Sequence, residues 1–143
     1  MNVAAILKLK GNDVTTAKSS ATLLDISQKL GQQKIGAIVI IDEQHKICGI
    51  ISERDVIRAI SEHGVEALKM PVNMVMTKNV ETCTEMSVLD ELMEQMTKGR
   101  FRHVPVVADE KLVGIISIGD VVKNHIAEVE MEVTAMRGYL ATG

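Results

Sequence analysis

Two short stretches of this chain set a hydroxyl and a carboxylate three residues apart at the end of an aliphatic run. Ser52-Glu53-Arg54-Asp55 follows Gly49-Ile50-Ile51, and Ser117-Ile118-Gly119-Asp120 follows Gly114-Ile115-Ile116. Both fit a helix-opening box, in which the hydroxyl accepts from a first-turn N–H and the carboxylate reaches back to the serine N–H. A cap of that kind needs no ligand. Three features open a second reading. Each box ends an apolar strand, where a strand-to-helix turn aims backbone N–H groups at a phosphate. The box occurs twice in one small chain. A carboxylate there is acceptor-only and suits a ribose cis-diol, which offers two donors side by side. Ser52 would then give its hydroxyl to a phosphate oxygen, and Arg54 would add charge. Cap and sugar-phosphate grip both stay open on the residues alone.

The elements that carry the boxes are themselves duplicated. Residues 49–57 return as 114–122, and every aliphatic position after the aspartate stays aliphatic. Upstream, Val14 and Thr16 lie 66 positions before Val80 and Thr82, and the same shift takes Ile26 to Leu92, Leu30 to Met96 and Val39 to Pro105. One residue is lost between Asp42-Glu43-Gln44-His45-Lys46 and Ala108-Asp109-Glu110-Lys111, as a hairpin turn tolerates. Such a repeat decides the architecture before any motif does.

Each copy predicts a short extended lead-in, Val14-Thr15-Thr16 or Val80-Glu81-Thr82. A helix follows, with Leu23, Ile26 and Leu30 or Leu89, Leu92, Met93 and Met96 at helical spacing. Ser20 and the 85–87 segment are its expected starts. Then come a β-branched strand (38–41 or 104–107), a polar turn, a second strand and the Ser-opened helix carrying Val56, Ile57 and Ile60. Pro105 cannot donate to a ladder, so its strand is expected at an edge or at its own start. The fold class is therefore α/β (α+β): two pseudo-twofold-related β-α-β-β-α repeats packed through their sheets. A copy of roughly 60 residues has too little core to be comfortable alone. One body over 1–143 is expected, made of repeat 7–61, connecting segment 62–79, repeat 73–126 and helical tail 124–143. Leu68, Met70, Val72, Met74, Val75 and Met76 predict that the connecting segment packs along the body.

Composition narrows the function. The 143 residues carry a formal charge of −3 without a basic block, which argues against a duplex-binding surface. Phe101 and Tyr139 are the only aromatics beside four histidines, too few for a base-stacking platform. The first 13 residues are too short and polar for a signal peptide, and no stretch could span a bilayer. Cys48 and Cys83 form no CxxC pair and read as two free thiols of a reducing compartment, so the cytoplasm is the expected location. His45, His63 and His125 have no ligand spacing, so no metal is expected. No nucleophile-base set is visible, and catalysis is not expected.

The tandem pattern of Val-x-Thr lead-in, helix, aliphatic strand and Gly-Ile-Ile-Ser-x-x-Asp resembles paired cystathionine-β-synthase-type (CBS) domains, the Bateman module, over about residues 7–126. The Ser-Glu-Arg-Asp-Val-Ile-Arg run and Phe101-Arg102-His103-Val104-Pro105-Val106 look like those of small stand-alone members. The resemblance implies a regulatory adenine-nucleotide binder, with AMP favoured and ADP, ATP, NAD(H) or an S-adenosyl group as alternatives. By position, one cleft would use Ser52, Arg54 and Asp55 with Thr82, Phe101, Arg102 and His103. The other would use Ser117 and Asp120 with Thr16, Ala17, Ile35 and Gly36. The first gathers Arg54, Arg102 and His103 where the second has Gly119, Gly36 and Ala37, so the first is expected to prefer more phosphate charge and the second a less charged moiety or nothing. For His103 the alternative is a surface histidine at a strand start.

The tail carries Ile126, Val129, Val133, Met136 and Leu140 at steps of three and four, an a/d-like stripe. It could fold back, fray or pair with another chain, and the resemblance implies a homodimer through helices. The leading expectation is a nucleotide sensor acting through that dimer on an unknown partner. The alternative is a structural or adaptor protein whose boxes only cap helices.

Overall fold

The computed structural model describes residues 1–142; Gly143, the end of the expected tail, lies outside the described residues. In chain order the elements are α1 (Val3–Lys10), β1 (Thr16–Ala17), α2 (Leu23–Gln33), β2 (Ala37–Ile41), β3 (Ile47–Ser52) and α3 (Glu53–His63). Two 3-10 turns follow, then α4 (Leu89–Gly99), β4 (His103–Ala108), β5 (Lys111–Ser117) and α5 (Ile118–Thr142). The mixed α/β repeat is present as read, with a three-stranded sheet β1-β2-β3 and a two-stranded sheet β4-β5.

Pro105 explains the missing strand. In the first copy Val39 N donates to Thr15 O, and β1 pairs parallel to β2. The matched Pro105 has no N–H to give, so the lead-in of the second copy shrinks to one bridge, Cys83 to Val106. Pro105 itself sits opposite Ile115 within the β4-β5 hairpin. Both hairpins shift register at matched places, after Ile40 and after Val106. The shorter turn keeps its pairing through Asp109 and Glu110, whose φ values of 51° and 64° are those of a type I′ turn. The longer one is closed by Asp42, whose Oδ1 accepts from Gln44 N and Lys46 N.

The helix starts differ from the sequence expectation. α2 begins at Leu23 behind a Thr22–Asp25 capping box rather than at Ser20, because Thr22 with Asp25 satisfies two N–H groups at once. α4 begins at Leu89 behind Val88, and the polar 84–87 segment closes its own turn through Thr84 and Ser87.

Packing crosses the repeat boundary that the sequence suggests. One buried cluster joins Leu23, Ile26, Leu30, Ile38, Ile40 and Ile51 to Ala67 and Val72 of the connecting segment. The other joins Leu89, Leu92, Met96, Val104 and Ile116 to Val3, Ile6 and Leu7 of α1. The segment before each repeat therefore completes the core of the other. The contacts match in pairs: Leu23 N donates to Met70 O, and Leu89 N to Met1 O. Gly49 makes room for Met76 and Gly114 for Leu7, since an added Cβ would stand 2.5 Å and 2.9 Å from those side chains. Val39 and Pro105 are buried yet belong to neither cluster. By alternation they lie on the opposite faces of their strands, where the two repeats meet.

Candidate functional site

β3 and β5 each run straight into a helix through a serine. At the first junction Asp55 Oδ2 accepts from Ser52 N at 2.9 Å and from Ser52 Oγ at 3.1 Å, and Asp55 N donates to Ser52 Oγ. At the second, Asp120 Oδ2 accepts from Ser117 N at 2.8 Å and Ser117 Oγ at 2.9 Å. Each junction is also pinned within its repeat, by Glu53 N to Gly36 O and Ile118 N to Arg102 O. The cap reading is thus realised at both places. It uses one carboxylate oxygen of each pair.

The two junctions differ in what lies beside them. Next to Ser52 and Asp55 a cavity of about 290 Å³ opens between the repeats. Its near wall is Gly36, Ala37, Ile50 and the first turns of α3 with Arg54 and Arg58. Its far wall is the 77–81 lead-in and the 99–103 segment. Of the residues expected in the first cleft, Ser52, Arg54, Asp55, Phe101, Arg102 and His103 line this cavity. Thr82 does not; it lies on a shallower depression with Lys46, Lys78 and Glu110, and its carbonyl is held by Gln95 Nε2. Asp55 Oδ1 faces Arg58 Nη1 at 3.5 Å. Among the described residues no carboxylate lies within ion-pair distance of Arg54, Arg100 or Arg102. Three unpaired guanidiniums and Arg58 around one cavity make a place for an anion. Burial lowers the His103 imidazole below its ordinary value; Glu53 and Asp120 pull it up, and Lys10 and Arg102 push it further down.

Asp120 already has a cation. Lys10, the last residue of α1, places Nζ 2.6 Å from Asp120 Oδ2 and 2.8 Å from Ile115 O. Burial would raise this carboxyl, but the Lys10 ammonium and the Ser117 amide and hydroxyl outweigh it and hold it below its ordinary value. Thr16 and Ala17 are elsewhere. They line an open depression formed by β1, α2 and the 41–45 turn, with no residue of the second repeat. Ile35 packs against the first core, and Gly36 faces the first cavity with the His103 ring over it. Of the residues around the second junction, Lys10, and not Thr16, Ala17, Ile35 or Gly36, is the one seen in hydrogen-bond contact with Asp120 from the first half of the chain.

Reading the sequence alone missed Arg58, Arg100, Asn79, Glu81 and Gly99 on the cavity wall. Arg58 follows Arg54 by one helical turn, a spacing that was legible. Gly99 was not: its Cα leaves the space in which the Phe101 ring lies, so that the ring folds back on the end of α4. Arg100 caps that helix in the left-handed region, with φ 56°. Among the described residues no group of His, Cys, Asp and Glu is gathered as a metal site requires, and no helix is long and apolar enough to cross a membrane.

Comparison with known proteins gives the fold a family. The family model for the CBS domain matches twice, at residues 8–62 and 72–126. A solved CBS-domain-containing protein of Agrobacterium tumefaciens is 44% identical with TM-score 0.85, over 87% of this chain and 99% of that one. The CBS domain pair of protein MJ0100, solved in complex with 5′-methylthioadenosine and S-adenosyl-L-methionine, is 28% identical with TM-score 0.80, over 90% and 98%. The CBS domain-containing protein CBSX3, mitochondrial, of Arabidopsis thaliana is 31% identical over 99% of this chain and 72% of its own length. This chain spans 66% of a further relative from Acidianus ambivalens and 23% of a longer Arabidopsis protein, CBS domain-containing protein CBSCBSPB1.

Proposed function

We propose that this chain, which belongs to the CBS-domain family, is a regulatory module that holds one adenosine phosphate between its repeats. The ligand class has two supports. MJ0100, a neighbour in fold and sequence, was solved with adenosine ligands. The phosphate is argued from this chain's own unpaired Arg54, Arg100 and Arg102 around the cavity. That cluster beside the Ser52–Asp55 box is the observation that carries the reading. In this assignment the ribose hydroxyls donate to Asp55 Oδ1, the oxygen the cap leaves over. The Ser52 hydroxyl and the Arg54, Arg58, Arg100 and Arg102 guanidiniums take phosphate oxygens. The base rests on the aliphatic walls of Ala37, Ile50 and Val80 beside Phe101. AMP is the favoured member; ADP, ATP and NAD(H) share its adenosine phosphate half.

The module would act on its partner by changing the shape of a homodimer, which requires the ligand to bind one shape more tightly than the other. The support for a dimer is the exposed Ile57 and Ile60 on α3 and Ile118, Val122 and Ile126 on α5. A second reading has its own observation: both boxes are complete caps without any ligand. A structural or adaptor role would need nothing more. Melting curves with AMP, ADP, ATP and NADH separate the two. The nucleotide reading expects a saturable rise in Tm with at least one of them, and an adaptor shows none.

A further inference from the structure

We propose that Lys10 is a built-in occupant of the second Ser-x-x-Asp junction and restricts the chain to one adenosine phosphate. The proposal rests on the nucleotide reading above for the ligand class. Lys10 Nζ donates to Asp120 Oδ2 and to Ile115 O, so its ammonium stands against the carboxylate that a sugar would approach there. An ammonium carries three donors and no acceptor, so it serves both at once and offers an approaching diol no acceptor in return.

The side chain does not arrive by chance. α1 is anchored to the second repeat by Val3 N to Ser87 O, Ala4 N to Glu85 O and Leu89 N to Met1 O, and Leu7 fills the notch over Gly114. At the first junction the corresponding Ile50 carbonyl is taken by the main chain of Thr77, which leaves the carboxylate side open. Contacts matched between α1 and the connecting segment, Met1 with Met70 and Leu7 with Met76, stand 69 positions apart. By that count Lys10 falls on Asn79, a short neutral residue on the wall of the open cavity. Lys10 thus turns two equivalent sequence motifs into one open site and one closed one.

Calorimetric titration of the full chain with AMP tests this in the wild type, Lys10→Met, Lys10→Arg and Lys10→Met/Asp120→Asn. Lys10→Met is expected to gain one binding event per chain, lost again in the double variant, while Lys10→Arg gains none. No gain in Lys10→Met, or loss of an event there, overturns the proposal. Wild type without any event contradicts the nucleotide reading instead, and the gain in Lys10→Met then decides this one separately. Should Lys10→Met not fold, acylation of the wild-type lysines followed by mass spectrometry answers the same question. Lys10 is expected to react more slowly than the exposed Lys69 and Lys98, at a rate that saturating AMP leaves unchanged. Faster reaction of Lys10 with AMP present overturns the proposal, because the nucleotide would then have displaced it.

Discussion

At the scale of single residues, the deciding feature is positive charge that no carboxylate among the described residues pairs. Arg54 is exposed, sits two residues past the Ser52 cap and pairs with no carboxylate among the described residues. A hydrogen bond to a charged group is worth about 1.5–3 kcal/mol, so Arg54→Ala should weaken an adenosine phosphate about ten- to a hundredfold. The stability of the fold should barely change, because no ion pair among the described residues uses that guanidinium. Unchanged affinity in a titration would remove Arg54 from the site.

His103 gives a second residue-scale expectation. Its imidazole is lowered by burial, and an incoming phosphate favours the protonated form and moves it back up. Binding should therefore take up protons over the interval between the two values, and affinity should rise as pH falls through it. Calorimetry in buffers of different ionisation enthalpy reads that uptake. It should be reduced in His103→Gln; the same uptake in that variant would place the proton elsewhere, for instance on the ligand.

Asp120 sets a third. A carboxyl held below its ordinary value contributes stability above the unfolded value, and loses it as pH falls through the folded one. The difference in Tm between wild type and Lys10→Met should thus be present at neutral pH and fade in strong acid. A difference that persists unchanged there would mean that Lys10 acts through its aliphatic stem. The thiol of Cys83, pushed by burial to about 12, has no part in this chemistry.

At the scale of elements, the glycines inside the second strand of each hairpin, Gly49 in β3 and Gly114 in β5, are the informative positions. At Gly49 a new Cβ would meet Met76 and, at 2.9 Å, the Thr77 carbonyl; at Gly114 its three nearest atoms would all belong to the Leu7 side chain. Backbone cannot step aside as a leucine can. Overpacking typically costs about 1–3 kcal/mol, and Gly49→Ala should fall at the upper end with Gly114→Ala below it. Thermal melts of the two variants check the order, and the reverse order would show that the connecting segment is looser than its contacts imply.

These contacts also mark what the sequence could and could not tell. The repeat was legible because Gly-Ile-Ile-Ser-x-x-Asp fixes strand, turn and cap within seven residues, and Leu23, Ile26 and Leu30 keep helical phase. Helix starts were misplaced by two residues or so because several Ser, Thr and Asp compete to cap, and tertiary bonds from Met70 and Met1 decide between them. The exchange of α1 and the connecting segment between cores was illegible, since no periodicity records which repeat a segment packs upon. For the same reason nothing in the spacing placed Lys10 on Asp120, at a separation of 110 residues.

At the scale of the whole molecule, α3 and α5 present aliphatic side chains that no element of the chain covers. Ile57 is 66% exposed and Val122 50%, beside Ile60, Ile118 and Ile126. Rows of exposed aliphatic side chains along the helices of a small protein suit an interaction site. The tail stripe carries it onward through Val129, Val133 and Met136 along one continuous helix, α5. A homodimer through these helices would cover it. Light scattering should give twice the chain mass for the wild type and the single mass for Val122→Glu with its helical content retained. A wild-type monomer at micromolar concentration would leave the surface to a different partner.

The open cavity and the unpaired arginines around it make a claim that one titration decides. Calorimetry of AMP into the wild-type chain should show a saturable event, strongly weakened by Arg54→Ala and by Arg102→Ala. Absence of heat, and of any shift in Tm, with AMP, ADP, ATP and NADH alike would contradict the account and leave the two Ser-x-x-Asp boxes as helix caps alone.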